Sequence, residues 1–139
     1  MIKHKNLGSF LLQFCIASTI SATATAIAMA VAPFTGFITN IFATIGVTAS
    51  GVATTRLDIN KNGTSIYSSS ITQLTFVGTN ATVSYGTLST DPVSVNAGDV
   101  ITVDVDIPGN DHKGAYIAML LERTRNNAIG SAYDLSTLP

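Results

Sequence analysis

The chain has 139 residues, of which 46 % are hydrophobic and only 11 % charged, with a formal net charge of −1. A single domain of this length buries a real core. A charged share far below the usual ~25 % describes a surface that neighbours cover, and the lack of a basic excess speaks against a nucleic-acid footprint.

Thr, Ser, Ala, Val and Ile dominate, which favours strands over helices. One cysteine, Cys15, rules out an intrachain disulfide; set in an apolar run, it reads as a small buried hydrophobe.

Residues 1–8 read as an N-terminal arm. Lys3, His4 and Lys5 precede an apolar run at 7–17, with small residues at 21–24, the outline of a secretory signal peptide. Residues 10–34 carry no charge, as a membrane span would not. Abundant Ser and Thr, Gln13 and the Pro33-Phe34-Thr35-Gly36 turn favour two strands and no membrane partner. These strands cover 9–17 and 25–32, the second with Ile27, Met29 and Val31 on one face and alanines on the other. The narrow alanine face lets another layer or subunit approach closely.

A long apolar strand follows at 37–47. Side-chain parity sets Phe37, Ile41 and Ile45 apart from Ile38 and Phe42, so both faces carry bulk, as expected between two layers or between a core and a partner. Leu57 and Ile59 then alternate with Arg56, Asp58 and Asn60, which puts Asp58 and Asn60 on a wet face. Asn62-Gly63 is a hairpin signal, because a two-residue type I′ turn needs positive φ at both positions. Residues 68–78 give a short strand and loop, 82–88 a weak strand and 93–95 a brief extended piece. After the Ala97-Gly98-Asp99 turn, the strand at 100–107 alternates Ile101, Val103, Val105 and Ile107 with Thr102, Asp104 and Asp106. The closing strand, 114–123, is apolar on both faces: Ile117, Met119 and Leu121 against Tyr116, Ala118 and Leu120.

About eight strands so spaced predict an all-β fold, an antiparallel sandwich or jelly roll over 9–123 with terminal arms. In the arm or tail at 124–139, Ile129, Tyr133, Leu135 and Leu138 are anchors with which it could dock on a neighbour.

No catalytic residues, cofactor or metal site emerge. No Gly-x-Ser-x-Gly elbow supports a nucleophile, and Asp111-His112 reads as a solvated loop. Asp58-x-Asn60-x-Asn62-Gly63 begins like a calcium loop, but the twelfth position is Ser69 where a bidentate Glu is needed. Asp104 and Asp106 read as outward charges that oppose aggregation. Without Trp and with four dispersed tyrosines, a glycan site is possible but weakly signalled.

Four stretches in order carry a resemblance over residues 7–123. They are Ala32-Pro33-Phe34-Thr35-Gly36 before an apolar strand, the Asp58–Ile66 hairpin, Gly98-Asp99-Val100-Ile101-Thr102-Val103-Asp104-Val105-Asp106, and the strand from Gly114 to Glu122. The chain thereby resembles β-sandwich modules of tailed-phage virions: capsid decoration (cement) proteins, head fibres and tail-fibre pieces. The order is also similar to the trimeric jelly rolls of complement- and tumour-necrosis-factor-like proteins. The resemblance implies a homotrimer on the capsid exterior that binds the major capsid protein. It leaves two other readings open: a fibre module that binds host glycan, and a secreted adhesin. On it, Phe37, Ile41 and Ile45, or their opposite face, and Tyr116, Ala118 and Leu120 are candidate subunit contacts.

Overall fold

The computed structural model describes residues 8–47, 53–79, 86, 88–90, 92–109 and 112–123. Among these described residues nine strands follow in chain order: β1 (Ser9–Thr19), β2 (Ala24–Val31), β3 (Gly36–Val47), β4 (Thr54–Lys61), β5 (Thr64–Ser65), β6 (Leu74–Val77), β7 (Val93–Val95), β8 (Val100–Ile107) and β9 (Lys113–Arg123). They form two antiparallel sheets. The first has the order β1-β9-β3-β7 and the second β2-β8-β4-β5, with β6 also on β4. β5 pairs with Asn60 and Lys61, and β6 with Thr54 to Leu57, so the two share one strand position, split by residues 66–73. The chain from β1 to β4 changes sheet at every step, and so does the chain from β6 to β9. This is the connectivity of a jelly roll, an all-β sandwich with eight strand positions.

The core lies between the sheets. β1 contributes Leu12, Phe14 and Ile16, β9 Ile117, Met119 and Leu121, β4 Leu57 and Ile59, and β8 Ile101, Val103 and Val105, all buried. The alternation of each strand supplies these inward rows. Gly36 is required where β3 meets β9, because a Cβ there would run into the Glu122 carbonyl.

Two turns are tied together. Asn62 (φ 50°) and Gly63 (φ 81°) connect β4 to β5. Asn62 Nδ2 donates to Asp99 Oδ1 at 2.8 Å, and the Val100 N–H donates to Asn62 Oδ1 at 2.9 Å. Asp99 Oδ2 in turn accepts the Asn96 N–H at 2.8 Å. The Asn62-Gly63 turn thus anchors the Gly98-Asp99 turn that opens β8.

β3 departs from simple alternation. Ile38 pairs with Leu121 and Asn40 with Leu120, so Thr39 is an extra residue, a β-bulge. The bulge separates Phe37 from Ile41 and Ile45: Phe37 is half-buried, whereas Ile38, Ile41, Ala43 and Ile45 are buried together. Among the described residues no helix is long and apolar enough to cross a membrane.

Candidate functional site

The outer face of the first sheet is an uncharged, largely apolar surface, with Gln13, Asn40 and Thr44 as its polar side chains. Across β1, β9 and β3 the register gives three rows: Leu11–Leu120–Asn40, Gln13–Ala118–Phe42 and Cys15–Tyr116–Thr44. None of these nine side chains is charged. Leu11 is 45 % exposed, Phe42 41 % and Tyr116 40 %, while Ala118 forms the low centre between Gln13 and Phe42. The charges lie at the ends of β9: Lys113 at its start, Glu122 and Arg123 at its finish. Arg123 stacks on the Phe34 ring at 5.0 Å from its centroid.

The structure divides the predicted contact residues. Tyr116, Ala118 and Leu120 lie on this outer face. Ile41 and Ile45 point into the sandwich, and it is Phe42 and Thr44, the opposite parity, that join Tyr116. Cys15 is exposed on the same face, contrary to its reading as a buried hydrophobe, because the parity of β1 turns Leu12, Phe14 and Ile16 inward. Phe42 lies on the β3 face given above as the alternative to Phe37, Ile41 and Ile45, and Leu11 belongs to the patch without having been singled out, although the β1 alternation carried its signal. Ile129, Tyr133, Leu135 and Leu138 lie outside the described residues, as does the weak strand at 82–88 except for Gly86 and Leu88.

β2 turns its alanines inward. Ala28 and Ala30 pack on the core and Ala32 is buried, while Ile27, Met29 and Val31 are 37, 63 and 55 % exposed. The narrow face therefore meets the first sheet, and the bulky face is left outside. Between Ala24 and Ala28 the register with β8 shifts, and Ala26 takes a φ of 50°.

The outer side of the second sheet is polar. Asp58 stands opposite Asp104 in the β4–β8 pair, and Asp106 follows on the same face. Asp58 Oδ1 accepts Ser65 Oγ–H at 2.6 Å, Asp104 Oδ2 accepts Asn60 Nδ2–H at 3.0 Å, and Asp106 Oδ2 accepts Gln73 Nε2–H at 2.8 Å. Asp58 and Asn60 are each only 7 % exposed, so the expected wet face is closed over. Ser65 of β5 and Gln73, the last residue of the segment that splits this strand position, do the covering. Burial holds the Asp58 carboxyl above the usual carboxylate range, the Ser65 hydrogen bond lowers it, and the charges of Asp106 and Asp104 raise it further. Burial also pushes the Tyr67 hydroxyl well up, with the Asp58 charge adding to it. Among the described residues no group of three or more His, Cys, Asp or Glu side chains is placed to hold a metal ion.

His112 is not solvated: it is fully buried. Its Nε2–H donates to the Gly78 carbonyl at 3.0 Å, which leaves Nδ1 to accept the Thr55 hydroxyl at 2.6 Å. The His112 carbonyl accepts the Ile20 N–H at 2.9 Å. The residue thus ties the β8–β9 connection to β4, to the end of β6 and to the end of β1.

No family model, curated protein or solved structure matches this chain.

Proposed function

We propose that the chain is a structural subunit of a tailed-phage virion, most simply a capsid decoration protein. In this reading it sits on the capsid exterior as a homotrimer and bridges major capsid subunits. The observation that carries the reading is the uncharged outer face of the first sheet, with Leu11, Phe42 and Tyr116 exposed around Ala118. These side chains are 40–45 % exposed, so burying the remainder of each contributes roughly 1 kcal/mol, a part of the full transfer value. Packing three copies around an axis removes that exposure. The virion setting comes from the residue patterns of the hairpin and of β8, and the jelly-roll strand order supports it.

The mechanism is physical rather than chemical. A trimer presents three identical docking surfaces at once, so modest individual contacts add up to durable attachment. The pressure of packaged DNA is then resisted by subunits held together across capsomer boundaries.

The test is the solution mass by light scattering, followed by co-sedimentation with empty capsids of the virus that encodes the chain. A trimer that co-sediments supports the reading. A trimer that ignores capsids but melts higher with a host-surface glycan assigns the chain to a fibre instead. A monomer with no capsid affinity overturns the proposal.

A further inference from the structure

We propose that β1 is an assembly edge, which adds antiparallel, about a two-fold axis, to β1 of a second copy of this chain. This contact uses the outward backbone of β1, whose Leu11, Gln13 and Cys15 also border the face at the proposed trimer axis, and would join one assembly to the next.

Among the described residues the sandwich has four edge positions, and they are not alike. β7 has three residues, and Lys61 Nζ donates to its Ser94 carbonyl at 2.8 Å. The β5–β6 edge is broken in two by residues 66–73. β2 is bulged, and the Ala26 N–H within the bulge is taken by Asp104 Oδ1 at 2.7 Å. Short length, a lysine, a break and a bulge are the ordinary ways in which a sheet edge is kept from pairing with another chain. β1 has none of them over its regular part. It has 11 residues, no charge and no proline, and its register with β9 is unbroken from Ser9 to Ile16. Among the described residues it pairs with β9 alone.

Exposure along the same strand points outward too. Phe10 shares its parity with the buried Leu12, Phe14 and Ile16, yet it is 45 % exposed. Leu11, on the opposite face, is equally exposed.

A second copy fits this edge by charge. No Asp, Glu, Lys or Arg occurs between Asn6 and Thr55. Two such edges meet without stripping water from an ion and without placing like charges opposite one another. Identical strands run antiparallel across a two-fold axis, the isologous arrangement of most dimers. Facing residues must share a side of the sheet, so the axis passes through a residue and not between two. Centred on Gln13, the pairing sets Phe10 against Ile16 of the second copy and Leu11 against Cys15 of the second copy. Phe10 and Leu11 then lose their exposure together.

The register makes the test sharp. In the full chain, Leu11→Cys creates a thiol that would directly face Cys15 of the other copy. Within one copy positions 11 and 15 are four residues apart on an extended strand, about 13 Å, too far for a disulfide. Mild oxidation is expected to link Leu11→Cys copies in pairs, whereas the wild-type chain, whose two Cys15 residues lie as far apart, stays unlinked. Alternate β1 amides should exchange about tenfold more slowly in concentrated than in dilute solution. The disulfide should also form in Leu11→Cys combined with Tyr116→Lys, a change directed at the apolar face, so loss of the trimer and loss of this edge are read separately. Absence of the cross-link overturns the proposal. Amide protection that does not vary with concentration also overturns it, because a segment of the same chain would then cover the edge.

Discussion

The N–H of Ala26 donates to Asp104 Oδ1 at 2.7 Å, across 78 residues of sequence. This bond sits where β2 slips its register against β8 and where Ala26 takes a φ of 50°. It has a consequence for the whole strand. The bulge decides that Ala28 and Ala30 face the core and that Ile27, Met29 and Val31 face outward. Asp104 also accepts from Asn60 on β4, so one carboxylate holds three strands in relation.

Ala26→Gly should therefore stabilise the protein by about 1 kcal/mol, since a Cβ in left-handed backbone costs ~1–2 kcal/mol and glycine lacks it, at some cost in unfolded-state entropy. Asp104→Ala should destabilise by roughly 1–3 kcal/mol through two lost hydrogen bonds, less whatever repulsion from Asp58 it relieves. Urea unfolding of both variants checks the signs, which are opposite.

Asp58 predicts an acid-side gain in stability. Its carboxyl is held above its ordinary value in the folded chain, chiefly by burial, so the folded state binds a proton more readily than the unfolded state does. The resulting stability is fully present below the ordinary carboxylate value. It is lost as pH rises through the raised value of the folded state. Asp58→Asn keeps an oxygen for Ser65 and removes the charge; it should unfold at higher urea than wild type near neutrality and flatten that part of the pH profile. Asp99 works the other way. The hydrogen bonds from the Asn96 N–H and the Asn62 side chain lower its carboxyl, so its contribution is present above the ordinary value and fades as pH falls through the lowered one. Asp99→Asn should remove this second, more acidic slope, and the two variants together separate the windows.

Much of the fold was legible because the strands alternate cleanly. The rows Leu57–Ile59 and Ile101–Val103–Val105 are buried, and the turn at Asn62-Gly63 takes the positive φ values its residue types favour. What escaped was decided by tertiary contacts. Period-two counting along β3 joins Phe37 to Ile41 and Ile45, but the bulge at Thr39 separates them. Asp58 and Asn60 follow the polar parity of β4, yet a later segment brings Ser65 and Gln73 over that face, which local pattern does not show. His112 follows loop residues and reads as solvent-facing, but its two ring nitrogens are matched by Thr55 and Gly78, 57 and 34 residues away. The outer face of the first sheet was half legible. Tyr116, Ala118 and Leu120 were singled out, whereas the contribution of β1 depends on a pairing that only the fold supplies.

The buried histidine gives a stability prediction of its own. Thr55→Val keeps the shape of the side chain but leaves His112 Nδ1 without its donor, a loss expected to cost about 1–3 kcal/mol. Gly109→Ala should act on the same cluster, since its Cβ would run into Thr55 Oγ1 and His112 Nδ1. If Thr55→Val unfolds at the same urea concentration as wild type, the bridge contributes nothing and the burial of His112 needs another account.

The outer face of the first sheet predicts a separation of assembly from folding. Tyr116 is 40 % exposed and lies outside the core, so Tyr116→Lys should leave the monomer folded, with urea stability within about 0.5 kcal/mol of wild type. Placed beside Ala118 at the centre of an uncharged patch, the ammonium would lose water on association without gaining a partner, which costs several kcal/mol per buried ion. In dilute solution, below the concentration at which β1 edges pair, the solution mass should then fall from three copies of the chain, by the proposed reading, toward one. Thr64→Lys, on the exposed β5 hairpin, adds the same charge away from this face and should leave the mass unchanged. A Tyr116→Lys chain that keeps its full mass would show that the first sheet's outer face is not where the copies meet, whatever the oligomer proves to be.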